Sequence, residues 1–144
     1  MKIVNKMKVS FPSKSINEGL ARMVVTAFAA SVDPTVEELC DLKTAVSEAV
    51  TNAIVHGYRD TMGEIYITAR MTDAGRISVK IQDKGCGIPD IPRAMEPLYT
   101  TCQSGERAGL GFAVMGELCD KVRVRSSVGK GTVVTLEKQL STRE

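Results

Sequence analysis

The chain has 144 residues, 43% of them hydrophobic and 25% charged, with 19 Lys and Arg against 17 Asp and Glu. That length fits a single domain, residues 1–144, around one core, and the net charge of +2 is too small to mark a nucleic-acid binder. The longest apolar stretch, Met23 to Val32, is broken by Thr26 and Ser31, short of the ~20 apolar residues a membrane span needs, so no membrane is expected as a partner.

Lys6–Phe11 alternates polar and apolar residues and reads as a strand ended by Pro12. Ser15 and Glu18 have the spacing of a capping box, which predicts a helix from about Ile16 with Leu20, Val24, Ala27 and Phe28 on its apolar face. Asp33 before Pro34 predicts the cap of a second helix, which runs to about His56 and closes at Gly57 in the left-handed conformation. Glu64–Met71 and Arg76–Gln82 alternate on either side of Asp73-Ala74-Gly75 and form a hairpin pattern. Residues 83–108, with their glycines and prolines, read as a long loop or lid. A short helix from Leu110 to about Cys119 and two strands, Lys121–Ser126 and Thr132–Leu140, complete the order β-αα-ββ-loop-α-ββ. This order predicts an α/β fold, a two-layer sandwich with helices on one face of a mixed, mostly antiparallel sheet.

Met1–Lys6 is polar with no apolar run behind it, so no secretory leader is expected. The four cysteines, Cys40, Cys86, Cys102 and Cys119, form no C-x-x-C pair, and His56 is the single histidine. Neither a zinc site nor a disulfide framework is expected, and the chain reads as reduced and cytoplasmic.

Glu48, Asn52 and His56 recur every four residues and share one stripe of the second helix, while Val46, Val50 and Ala53 lie at packing azimuths. The Asn52 carboxamide suits a hard cation such as Mg²⁺, and Glu48 one turn away can deprotonate or orient a hydroxyl; a solvated helix face accounts for the same spacing. In Asp83-Lys84-Gly85-Cys86-Gly87 the carboxylate can accept from an exocyclic amine and Gly85 and Gly87 allow close approach, although an ordinary turn has the same composition. Gly109-Leu110-Gly111 opens a helix, where free N–H groups bind anions, and Arg107 just before it can reach a terminal phosphate. The cluster lacks the lysine of the G-x-x-x-x-G-K-[ST] phosphate loop. The Thr132 hydroxyl after Gly131 can close a base pocket or simply enter a strand from a turn. Lys121, Arg123 and Arg125 line one face of a strand, near Lys130, and the chain has no Trp; a solvated strand face explains them, and no direct nucleic-acid partner is expected.

Taken together, E-x-x-x-N-A-x-x-H-G (Glu48–Gly57), D-x-G-x-G (Asp83–Gly87), G-x-G (Gly109–Gly111) and K-G-T (Lys130–Thr132) stand in the order of the GHKL ATPase superfamily, over about residues 6–140. Within it the chain is similar to the small bacterial anti-sigma factor serine kinases. The segments Glu48–Tyr58 and Pro97–Thr101 most resemble the sporulation group that inhibits sigma F, with the RsbW-like stress-response group next. The resemblance implies the histidine-kinase-like ATPase fold, ATP or ADP with Mg²⁺, and a homodimer. It implies that Asn52 holds Mg²⁺, Glu48 is the base toward an acceptor hydroxyl, and Asp83 reads the adenine amine beside Gly85, Gly87 and Thr132. A lid with Thr100 and Thr101 would fold over the phosphates, Gly109, Leu110 and Gly111 would cradle them, and Arg107 would reach the γ-phosphate. Arg22 matches an arginine that contacts the sigma factor and the anti-anti-sigma factor in competition, and Cys86 reads as a spectator. The implied function is an anti-sigma factor that is also an ATP-dependent protein serine/threonine kinase, phosphorylating a serine of its anti-anti-sigma factor. His56 lies inside the ATP motif, so phosphoryl transfer is expected to go to another protein or to water. The alternative is a nucleotide-gated binding module without kinase activity, against which Glu48 speaks.

Overall fold

Period-two alternation sets the sheet. In the computed structural model, which describes residues 2–59, 61–94 and 111–141, five strands run β1 (Ile3–Pro12), β2 (Glu64–Thr72), β3 (Arg76–Asp83), β4 (Lys121–Ser127) and β5 (Gly131–Gln139). They lie in the order β1-β2-β3-β5-β4. The expected antiparallel character is complete among these strands, with no parallel pair between them: each neighbour is reached by a hairpin or by a return across the helices. Ile65, Ile67, Ala69 and Met71 on β2, Ile77, Val79 and Ile81 on β3, and Val134 and Leu136 on β5 point to one side and are buried. Fully burying each of these side chains other than Ala69 contributes about 1.5–3 kcal/mol.

Three helices cover that side. Helix α1 (Asn17–Ala29) buries Ala21, Val25 and Ala29, whose small side chains suit close packing against α2. The expected face is rotated: Leu20 is exposed, Ala27 is solvent-facing, and only Val24 and Phe28 pack at the margin of the core. Leu20, Met23 and Ala27 make a second apolar stripe beside the buried Ala21, Val25 and Ala29, so periodicity alone does not choose the inner face. The Ser15–Glu18 capping box is also absent; Ser15 contributes only its carbonyl, which accepts from the Glu18 amide at 3.2 Å, while the Glu18 carboxylate pairs with Arg22.

Helix α2 (Val36–Asn52) is capped by Thr35, not Asp33. Thr35 Oγ1 accepts from the Glu38 amide at 3.1 Å, and Glu38 Oε1 accepts from the Thr35 amide at 2.9 Å, a complete capping box. Asp33 instead turns the chain at φ 55° after a 3₁₀ turn, Ala30–Val32. Glu38 also accepts from the amide and hydroxyl of Ser141, tying the end of the described chain to the start of α2. Leu42, Ala45, Val46, Ala49 and Val50 are buried, the 3–4 spacing of a helix against a sheet. Past Asn52 the helix widens into a π turn, Ala53–Gly57. Gly57 is absent from the left-handed positions, which Arg59 occupies at φ 50°. A short helix α3 (Ile91–Ala94) follows β3, and α4 (Gly111–Leu118) packs Met115 and Phe112 against α2 and the sheet. Among the described residues no helix is long and apolar enough to cross a membrane.

Candidate functional site

Two adjacent registers build the site. Asp83, the last residue of β3, pairs across with Thr132 on β5, which pairs with Ser126 on β4. The three form one row on the helix-facing side of the sheet, directly beyond the apolar row Ile81–Val134–Val124. Asp83 is only 5% exposed and Thr132 only 7%, so the hydrophobic ladder of the core ends in buried polar groups.

The wide end of α2 presses on this row. A Cβ at Gly57 would lie 2.8 Å from the Asp83 carboxylate, and one at Gly85 would lie 2.0 Å from the Gly57 carbonyl oxygen. Only two glycines let the π turn and the post-β3 loop approach so closely. The Cys86 amide donates to the Gly57 carbonyl at 2.8 Å, its thiol donates to the His56 carbonyl at 3.0 Å, and its own carbonyl accepts from the Gly129 amide at 2.7 Å. Cys86 therefore bridges the π turn and the β4–β5 turn and is no spectator in the packing. At Gly87, φ is +79° and a Cβ would meet the Ser127 carbonyl at 2.3 Å.

Within this frame the Asp83 Oδ1 accepts from the Gly85 amide at 2.9 Å. Burial pushes the Asp83 carboxyl above its ordinary value, and the amides of Gly85 and Thr132 pull it back only in part. The Tyr58 hydroxyl donates to the Glu64 carbonyl at 2.5 Å and accepts from the Lys84 amide at 2.8 Å, so it fixes the backbone immediately after Asp83. Burial and the neighbouring Arg59 charge hold the His56 imidazole below its ordinary value, which keeps it neutral at pH 7.

Glu48 and Asn52 are half-buried, one turn apart near the end of α2. His56 lies one turn further on, inside the π turn that follows Asn52. Among the described residues no three His, Cys, Asp or Glu side chains gather into a metal-binding group. A single carboxamide oxygen at Asn52, with a carboxylate one turn away, fits Mg²⁺, which keeps several waters and takes phosphate oxygens with one or two protein ligands. Gly111 opens α4. Thr100, Thr101, Cys102, Arg107, Gly109 and Leu110 lie outside the described residues. Arg22 stands apart on α1, paired with Glu18 at 2.5 Å beside the exposed Ile16, Leu20 and Met23. Sequence reasoning missed Tyr58 and Ser126 as parts of the site; the adjacent residues His56-Gly57-Tyr58 and the Ser126-Ser127 pair before the turn were the available signals.

Residues 11–138 match the histidine kinase-like ATPase domain family. An anti-sigma F factor of Thermoanaerobacter sp. (strain X514) is 51% identical over 140 residues, covering 97% of each chain. The chain belongs to the anti-sigma F factor group of the histidine kinase-like ATPases. Solved structures repeat the fold of this anti-sigma F family member at lower identity. The RsbU and RsbW domains of a Mycobacterium tuberculosis protein are 20% identical with a TM-score of 0.71, covering 97% of this chain and 34% of that one. Full-length ShkA in complex with AMPPNP is 22% identical with a TM-score of 0.62, covering 90% of this chain and 30% of that one.

Proposed function

We propose that the chain is a cytoplasmic anti-sigma factor that binds a sigma F-like sigma factor as a homodimer and uses ATP to phosphorylate a serine of its anti-anti-sigma factor. The observation that carries the reading is the buried Asp83–Thr132 row set against the end of the helix that bears Glu48 and Asn52. Asp83 accepts from the adenine amine, with Thr132 and Gly87 closing the base pocket. Asn52 would hold Mg²⁺, which would neutralise charge on the phosphates. Glu48 takes the proton from the serine hydroxyl as that oxygen attacks and the bond to the departing ADP breaks. Arg107, Gly109, Leu110, Gly111, Thr100 and Thr101 are assigned to the phosphates by the family resemblance.

The α1 surface supports a separate partner role. Ile16 and Met23 are 79% and 72% exposed next to the Arg22–Glu18 pair, and exposed apolar side chains beside an arginine are the composition that interfaces enrich. The family resemblance brings both partners to Arg22, so one that covers α1 competes with one that inserts a serine at Glu48. Incubation with Mg-ATP and the cognate anti-anti-sigma factor tests this by mass spectrometry for phosphoserine. Wild type should transfer, and Glu48→Gln should lose transfer while binding ADP normally. ADP binding without transfer by wild type would leave only a nucleotide-gated binding module.

A further inference from the structure

We propose that Ser126 is a positioning residue that fixes the proton of the Thr132 hydroxyl and so makes the base pocket select a 6-amino purine over a 6-oxo purine. The inference rests on the nucleotide reading of this site and adds a specificity determinant to it.

Proton bookkeeping fixes the orientation of these hydroxyls. Ser126 Oγ lies 2.7 Å from the Ile88 amide nitrogen, 2.9 Å from the Gly131 carbonyl oxygen and 2.8 Å from Thr132 Oγ1. A hydroxyl carries one proton and two lone pairs. The Ile88 N–H can only donate and the Gly131 carbonyl can only accept. The Ser126 proton therefore goes to Gly131, one lone pair takes Ile88, and the remaining lone pair takes the proton of Thr132. All three capacities of Ser126 are filled.

Thr132 is thereby left with lone pairs alone for anything else it meets. Its neighbour in the row, Asp83, is also an acceptor when ionised, and it stands buried beside it. Two fixed acceptors side by side match the two N–H bonds of a C6 amine. They oppose the lone pairs of a C6 carbonyl, as in hypoxanthine or guanine. A site whose buried polar groups are left mismatched rejects the analogue strongly. Without Ser126 the Thr132 hydroxyl regains its rotation and can turn its proton toward a carbonyl.

The test compares ADP with inosine diphosphate, which differs only at C6 and N1, by calorimetry with Mg²⁺ at mildly alkaline pH, which favours the Asp83 carboxylate. Wild type should prefer ADP. Ser126→Ala should narrow the ADP-to-inosine-diphosphate affinity ratio by about tenfold, the scale of one mismatched buried hydrogen bond, and Ser126→Thr should restore it. Thr132→Val, isosteric and suited to a strand, should narrow the ratio by weakening ADP, and it keeps the question open to measurement should Ser126→Ala fail to fold. A structural role alone would weaken both nucleotides equally; an unchanged ratio in Ser126→Ala, or in Thr132→Val, overturns the proposal. Failure of wild type to bind ADP overturns the nucleotide reading instead.

Discussion

Replacing Asp83 by Asn separates what the carboxylate does for binding from what it does for the fold. Oδ1 already accepts from the Gly85 amide, and the Thr132 amide also points at the carboxylate. A carboxylate has lone pairs enough for both and for an incoming amine, whereas an Asn side chain has one acceptor oxygen and two donor hydrogens. In the Asp83→Asn variant the new side-chain nitrogen must face either a backbone N–H or the amine. Loss of one charge-assisted bond costs about 1.5–3 kcal/mol, or about 10- to 150-fold in ADP affinity. Stability should move the other way. Burial holds the folded pKa of Asp83 above its ordinary value, so its contribution is fully present below the unfolded pKa and is lost as pH rises through the folded one. Once ionised, the group opposes folding, so at the high-pH end Asp83→Asn should unfold at an equal or higher urea midpoint, with a flatter dependence as pH rises from mildly acid values. Calorimetry with ADP and urea unfolding across that range measure both. A variant that binds ADP normally, or that is strongly destabilised at neutral pH, refutes the assignment.

Three other sets of substitutions test the frame. Gly85→Ala puts a Cβ on the Gly57 carbonyl and should cost about 3 kcal/mol, the upper end for overpacking, whereas Gly116→Ala meets nothing within 4 Å on α4 and should gain about 0.5–1 kcal/mol by helix propensity; urea midpoints decide both. Tyr58→Phe leaves the Lys84 amide and the Glu64 carbonyl without their hydroxyl and should lose about 1–3 kcal/mol in chemical denaturation, together with ADP affinity. Burial pushes the Glu38 carboxyl up, but hydrogen bonds from Thr35 and Ser141 outweigh it and leave its pKa below the ordinary value. Its stabilisation is present above the unfolded pKa and lost as pH falls through the folded one, so wild type should exceed Glu38→Gln at neutral pH and match it in acid.

The hairpin β2–β3 was legible because its alternation brackets an Asp-Ala-Gly turn, and Asp83 was legible because it follows a strand and precedes two glycines. The cap of α2 was readable as Thr35-x-x-Glu38, yet Asp33-Pro34 competed for the same role two residues earlier. The inner face of α1 was not legible, since Leu20 and Ala21 are both apolar and only contact with α2 decides between them. Ser126 was hidden for a different reason. Its partner Ile88 is 38 residues away, and a serine in a strand carries no local mark of such a bond. Glu48 and Asn52 were legible as neighbours from their four-residue spacing within α2, and their proposed roles came from the family resemblance; the π turn that follows left no mark in the sequence pattern.

The change from α to π register gives the end of α2 an unusual sensitivity to length. A π turn is an α-helix that has taken in one extra residue, which pushes the backbone outward at that point, and Gly57 lies within it. Deleting one residue within Ala53–Val55 lets the helix close in ordinary register, which swings Gly57 away from Asp83 and withdraws the carbonyl that receives Cys86. Every chemically active side chain would survive such a deletion, and the site would still come apart. Two chains of this family with the same reactive residues can thus differ in competence by the count of residues between Asn52 and Tyr58 alone.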